Sequence, residues 1–269
     1  MRPIVVATAE SVTALGEVAG KVLVAGSHGG INAAYLGASA GVHALILNDA
    51  GVGLDRAGIA GLVYLEAIGM AAATVGHASA RIGDGADMLA RGVISHANVF
   101  AARVGVVAGQ ACADAASRLR TAHAPRSAPP PCAEGRYRLA EGPPAIWALD
   151  SVANTVPGDA GCLLIIGSHG ALLGGRPQSA LAVDALAAVF HDAGVGADHI
   201  GISRLPILSA RGIAAAAVHC MSARIGDGRS LWESGVLSHV NTVAADFGAC
   251  AGWSVKAFAE AVCAAQNPG

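Results

Sequence analysis

At 269 residues the chain is long enough for one large domain or two of ordinary size. Seventeen basic and nineteen acidic residues leave a formal net charge of −2, only Lys21 and Lys256 are lysines, and no basic run occurs, so a nucleic-acid surface has nothing to rest on. Hydrophobic residues make up 54% of the chain, but Glu66 interrupts the longest membrane-span candidate, 58–76, and Glu10 follows too short an apolar run for a signal peptide.

In chain order, Lys21-Val22-Leu23-Val24-Ala25 predicts a strand that ends at Gly26-Ser27-His28-Gly29. An Ala-rich segment, 31–40, and a second apolar run, 43–47, follow and lead to Asp49-Ala50-Gly51. Residues 55–68 have helical periodicity, with Asp55 near the start and Gly69 after the end. A third strand, 71–75, runs into His77-Ala78-Ser79-Ala80-Arg81, and Ser95-His96-Ala97-Asn98 comes after it. Residues 121–144 hold six prolines and predict a surface connector.

The same series then returns. The strand Cys162-Leu163-Leu164-Ile165-Ile166 ends at Gly167-Ser168-His169-Gly170, an Ala-rich segment covers 177–186, and a strand over 186–190 leads to Asp192-Ala193-Gly194. A helix over 198–210 and a strand over 213–218 precede His219, Ser222 and Arg224, and Ser238-His239-Val240-Asn241 closes the copy. The steps from Asp49 to Asp192, Arg81 to Arg224 and His96 to His239 are all 143 residues. His77 pairs with His219 if one residue is inserted after the histidine. The order predicts an α/β protein of two tandem pseudo-equivalent lobes, each a mainly parallel sheet covered by helices, related by a pseudo-two-fold axis. The expected divisions are a first repeat over 1–120, a Pro-rich linker over 121–144 and a second repeat over 145–269.

Packing explains repeated glycines and apolar residues, because cores accept many substitutions of similar volume, but it does not explain repeated His, Asp, Arg and Asn. Ligands bind beyond the carboxyl ends of parallel strands, where His28, Asp49, His169 and Asp192 are all expected. The imidazoles would move a proton, and the carboxylates would orient them or act as the second acid–base group. Arg81 and Arg224 carry forks of donors that match a carboxylate, with pairing to a local aspartate as the competing reading. Ser27, Ser79, His96, Asn98, Ser168, Ser222, His239 and Asn241 complete the expected substrate-binding set. Asp84, Asp227, Ser95 and Ser238 fit helix caps and turns instead.

Gly-Ser-His-Gly lacks the spaced glycines of a dinucleotide loop and the Lys-Ser/Thr of a P-loop. A thiol mechanism on Cys112 or Cys250 is disfavoured, since the ungapped repeat places Cys250 opposite Val107 and Cys112 opposite Val255. The six cysteines form no C-x-x-C pair, which suits a reducing cytoplasm. The sequence therefore predicts a cytoplasmic hydrolase of a small carboxylate- or amide-bearing metabolite, working by His/Asp chemistry without a cofactor, with isomerisation or elimination as variants. A divalent metal (Zn, Mn or Fe) held by His28, Asp49, His77 and His96, or by their counterparts, defines a rival hydrolase or lyase. A non-catalytic metabolite-binding protein is the other alternative. No nucleic-acid or membrane partner is expected, and a homo-oligomer is compatible with the sequence.

Overall fold

The computed structural model describes residues 3–266 as a mixed α/β protein with two mostly parallel sheets, of five and six strands, flanked by helices. The expected outer bounds at residues 1 and 269 lie outside the described residues. The first sheet runs in chain order: β1 (Val6–Ala9), β2 (Val22–His28), β3 (Ala44–Asn48), β4 (Ala72–Val75) and β5 (Ile94–Ala97). The first four strands are parallel, and β5 is antiparallel to β4. Strands β2 and β3 are buried along nearly their whole length because helices cover both faces, and their first four residues are apolar. Leu23, Ala25, Leu45 and Leu47 face α1 (Ile31–Ser39) and α2 (Ala60–Glu66). Val22, Val24, Ala44 and Ile46 face the other way, toward α3 (Gly85–Arg91), α4 (Val99–Arg103) and α5 (Cys112–Leu119).

The second sheet contains β6 (Arg136–Ala140), β7 (Ile146–Leu149), β8 (Leu163–His169), β9 (Ala187–His191), β10 (Ala214–Val218) and β11 (Leu237–Val240), adjacent in that order. β7 to β10 are parallel, while the edge strands β6 and β11 are antiparallel to their neighbours. α6 (Arg204–Ala210) covers one face, and α7 (Gly228–Ser234), α8 (Thr242–Asp246) and α9 (Val255–Gln266) cover the other.

Three local expectations are corrected. The linker is not all loop, since β6 lies inside it and extends the second sheet by pairing with β7. The helices predicted from 55 and 198 begin only at Ala60 and Arg204. Before them, Asp55, Arg56, Asp198 and His199 have φ of 53–58°, which breaks the helix into a 3₁₀ turn followed by an α-helix.

The Ala-rich segment 177–186 forms no α-helix, unlike its counterpart α1. Gly174 and Gly175 take positive φ, Pro177 follows, and the segment folds as short 3₁₀ turns. Its carbonyls are bound instead by the fully buried Arg204, whose Nε donates to Ala171 O at 3.0 Å and whose Nη1 donates to Ser179 O and Ala180 O. The matching position in the first repeat is Gly61, identified because its N–H donates to Gly29 O as Arg204 N–H donates to Gly170 O.

The two sheets meet through contacts that occur in exchanged pairs. Arg81 binds Asp198 at 2.8 Å and Arg224 binds Asp55 at 2.7 Å. Leu54 N–H donates to Cys220 O, and Ala197 N–H donates to His77 O. Ala50, Ile82, Ala171, Ala193 and Ile225 form a buried apolar cluster between the sheets.

Candidate functional site

The loop after β3 holds an unusual backbone. Ala50 and Val52 have φ of 50° and 62°, and Ala193 and Val195 have φ of 51° and 63° after β9. A β-branched residue in this region is strained, and such strain concentrates at functional sites. The loops touch at Gly51 and Gly194, where a Cβ on Gly51 would lie 3.0 Å from the Gly194 Cα. The positive φ of both residues, 78° and 73°, and the close approach favour glycine at each.

Asp49 organises the first loop. Its Oδ1 accepts from the Gly51 N–H at 3.1 Å, from the His77 N–H at 2.9 Å and from His77 Nδ1 at 2.9 Å. Burial alone would raise the Asp49 carboxyl, but the His77 ring and backbone bonds outweigh it and hold the group below the ordinary carboxylate range. The bond to Asp49 raises His77 above the usual imidazole value, against a smaller opposing effect of burial. The His77 side chain is 32% exposed, and its Nε2 faces Gly194, where a Cβ would stand 3.0 Å from it. A buried carboxylate on Nδ1 of a partly exposed ring is an arrangement suited to acid–base chemistry.

The second loop differs in a way the expected pairing missed. Asp192 Oδ1 accepts from the Gly194 N–H at 2.9 Å and from the Cys220 N–H at 3.0 Å. His219 N–H donates to Val236 O as Gly76 N–H donates to Val93 O. His77 therefore corresponds to Cys220 and His219 to Gly76, with no inserted residue. Burial, then the nearby Asp192, push the Cys220 thiol up to about 11, so it is a neutral thiol and not a thiolate at neutral pH. The constant step of 143 residues likewise places Cys220 opposite His77.

His28 and His169 lie elsewhere, at the ends of β2 and β8, where they line one cavity of about 50 Å³ between the sheets. Ser11 and Ser151, Val12 and Val152, and Ser27 and Ser168 line it from the two repeats, together with Asn32, Glu134 and Arg204. Ser27 and Ser168 accept the Val12 and Val152 N–H groups at 3.0 Å each. Each imidazole uses Nδ1 as an acceptor, His28 from Gly30 N–H at 3.1 Å and His169 from Ala171 N–H at 3.3 Å. In the neutral ring that fixes the proton on Nε2. Burial, followed by repulsion from His191, pushes His28 down to about 4. Burial, then Arg204 and the other two imidazoles, pushes His169 well below the ordinary value. These rings are neutral N–H donors whose Nδ1 lone pairs are engaged by backbone N–H groups, an arrangement suited to donating a hydrogen bond. Asp49 orients His77 and not His28.

Most of the other expected binding groups are committed to the fold. Arg81 and Arg224 bind carboxylates of the opposite repeat, and Arg224 also lies 3.6 Å from its local Asp227. Ser79 and Ser222 close turns by donating to Gly76 O and His219 O and accepting from Val93 N and Val236 N. Asn98 and Asn241 cap α4 and α8, and each amide also bonds the backbone of the neighbouring strand region. His96 and His239 bond only their preceding serines, Ser95 and Ser238, on the edge strands. Asp84 and Asp227 are the caps of α3 and α7, as expected. Among the described residues no three His, Cys, Asp or Glu side chains are grouped as a metal site requires, so the sets proposed for Zn, Mn or Fe are not brought together. Cys112 is buried with its thiol pushed up to about 12, and Cys250 is exposed.

One position carries a stability prediction. His191 ends β9, accepts Ala193 N–H on Nδ1 at 3.0 Å and reaches Ala223 O from Nε2 at 3.2 Å. Its counterpart Asn48 accepts Ala50 N–H in the same way, but its buried Nδ2 has no partner among the described residues. Asn48→His should let the longer ring reach Ala80 O and raise the unfolding free energy by about 1 kcal/mol. Urea denaturation checks this, and a less stable variant would show that the first repeat lacks the room.

Comparison with protein-family models, curated proteins and solved structures found no match. No helix among the described residues is long and apolar enough to cross a membrane.

Proposed function

We propose that the chain is a small-molecule enzyme, a hydrolase of a carboxylate- or amide-bearing metabolite, in which His77 moves the proton and Asp49 holds it in position. The observation that carries this reading is the 2.9 Å bond from the buried Asp49 to Nδ1 of the partly exposed His77 ring, which leaves Nε2 as the nitrogen for proton exchange. Asp49 raises the His77 imidazole above its ordinary value, and a carboxylate-oriented imidazole is a common general acid–base group. The strained loops that carry Asp49 and Asp192 support a functional role for this region.

We also propose that residues 1–120 and 145–269 are duplicated units related by a pseudo-two-fold axis, joined through 121–144. The exchanged ion pairs, Arg81 with Asp198 and Arg224 with Asp55, support it, because an isologous interface repeats each contact with its partners swapped. Divergence at His77 and Cys220 then assigns the proton-transfer role to the first unit alone. The second reading, a metabolite-binding protein without turnover, is favoured by the cavity whose imidazoles are suited to donating hydrogen bonds.

A panel of small esters and amides bearing free carboxylates, followed by NMR, separates the two readings. Hydrolysis of at least one compound by the wild-type chain, lost in His77→Gln, is the expected result. Saturable binding across the panel without any product would favour the second reading.

A further inference from the structure

The cavity between β2 and β8 has a composition that the acid–base assignment does not use. Its walls hold an excess of donors. His28 and His169 present Nε2–H, since their Nδ1 atoms are taken by backbone N–H groups. The Ser27 and Ser168 oxygens already accept from Val12 and Val152, so each hydroxyl can donate its proton; Ser168 can offer it to a ligand, and Ser27 can turn it from Ser11 Oγ, 3.3 Å away, to a ligand. His28 is half-buried and His169 buried, and both line the cavity.

Arg204 adds a charge. It is fully buried, lines the same cavity, and has no carboxylate within ion-pair distance among the described residues. Its hydrogen bonds go to the neutral carbonyls of Ala171, Ser179 and Ala180. Burial lowers it only to about 10, so it remains a cation at neutral pH. A buried cation without a counter-charge is costly, and an anion bound in the cavity would offset that cost. The one acidic wall residue, Glu134, accepts from Asn32, and burial raises its carboxyl above the ordinary value, which favours its neutral form beside a bound anion.

Size and arrangement narrow the ligand. A cavity of about 50 Å³ exceeds the ~10–15 Å³ that one water needs and suits a group of a few heavy atoms. Each repeat contributes one imidazole and one serine, so a ligand with two like oxygens can offer one to each side. We propose that the cavity is a binding site for a small carboxylate, formate to acetate in size, held by His28 and Ser27 on one oxygen and by His169 and Ser168 on the other. A halide offers one centre and cannot divide itself between two donor sets. The site stands on the cavity alone and does not depend on His77.

The test is an NMR titration of the ¹⁵N-labelled full chain with formate and acetate, against chloride at equal ionic strength. The Gly30, Ala171, Val12 and Val152 amides report on the four wall side chains. Saturable shifts with the carboxylates are expected, with binding at least about tenfold weaker in His28→Asn and in His169→Asn. Asparagine is chosen because Asn48 already makes the same backbone bond in this chain, so the local turn survives, while its shorter amide cannot reach as Nε2 does. Retained shifts in the wild type beside unchanged affinity in both folded variants would overturn the proposal, as would no saturable shift with either carboxylate. Chloride moving the same amides as strongly as acetate would overturn it too. A failure here leaves the His77 reading intact, because hydrolysis and its loss in His77→Gln are read separately.

Discussion

Replacing His77 by Gln is expected to reduce turnover by about a hundredfold or more while leaving the fold intact. A positioned general acid–base group contributes on that scale, and glutamine can fill the space but cannot carry the proton. The stability cost should stay within about 1 kcal/mol, since the side chain is partly exposed and its main partner, Asp49, also keeps bonds to two backbone N–H groups. Asp49→Asn should also lose turnover, because the amide no longer favours the protonated ring. Cys220→Ser should leave the rate nearly unchanged, since a thiol held up at about 11 is a poor nucleophile at neutral pH. Steady-state rates on the hydrolysed compound, beside urea denaturation of each variant, check all three. Loss of turnover in Cys220→Ser with full activity in His77→Gln would transfer the chemistry to the second repeat.

Acidification should destabilise the protein well before its carboxylates titrate. His28, His169 and His191 are neutral in the folded state, and their folded values lie below the unfolded value of 6.5. Above that value both states hold neutral rings and stability does not change with pH on their account. As pH falls from about 6.5 toward 4, the unfolded chain binds protons that the folded chain refuses, so stability declines. For His28 the drop to about 4 corresponds to about 3 kcal/mol at full extent. His77 acts in the opposite sense: its raised value adds stability below 6.5 that is lost as pH rises through the folded value. Three buried rings outweigh one partly exposed pair, and the net slope is a loss toward acid. Urea denaturation at a series of pH values from about 7 to 4.5 should show it, with a shallower decline in His191→Asn, the residue used at position 48. A flat profile would mean that the three rings already carry protons or are solvated in the fold.

The repeat made the strand cores and their glycine-marked ends readable, because period, apolar runs and turn residues are local properties. Its placement of His28 and His169 at strand ends was sound, and their meeting across one cavity follows from that. What escaped were properties that depend on the partner repeat. Arg81 and Arg224 look like substrate anchors until Asp198 and Asp55 are brought opposite them. Ser11 and Ser151 line the cavity, but their repeat is offset by 140 residues and sits among dissimilar neighbours. The missing helix at 177–186 depends on Arg204, distant in sequence, binding the carbonyls. The proton position on His28 could not be read at all, because it is set by the Gly30 N–H that the turn aims at Nδ1.

The central claim is that Asp49 tunes His77 for proton transfer, and it can be tested without a substrate. An NMR titration of the His77 imidazole in the wild type and in Asp49→Asn measures it directly. The wild-type ring should titrate above 6.5, with Nε2 exchanging with solvent, and should fall to that value or lower in Asp49→Asn. A wild-type ring that titrates at or below 6.5, or one indifferent to the loss of the Asp49 charge, would contradict the account.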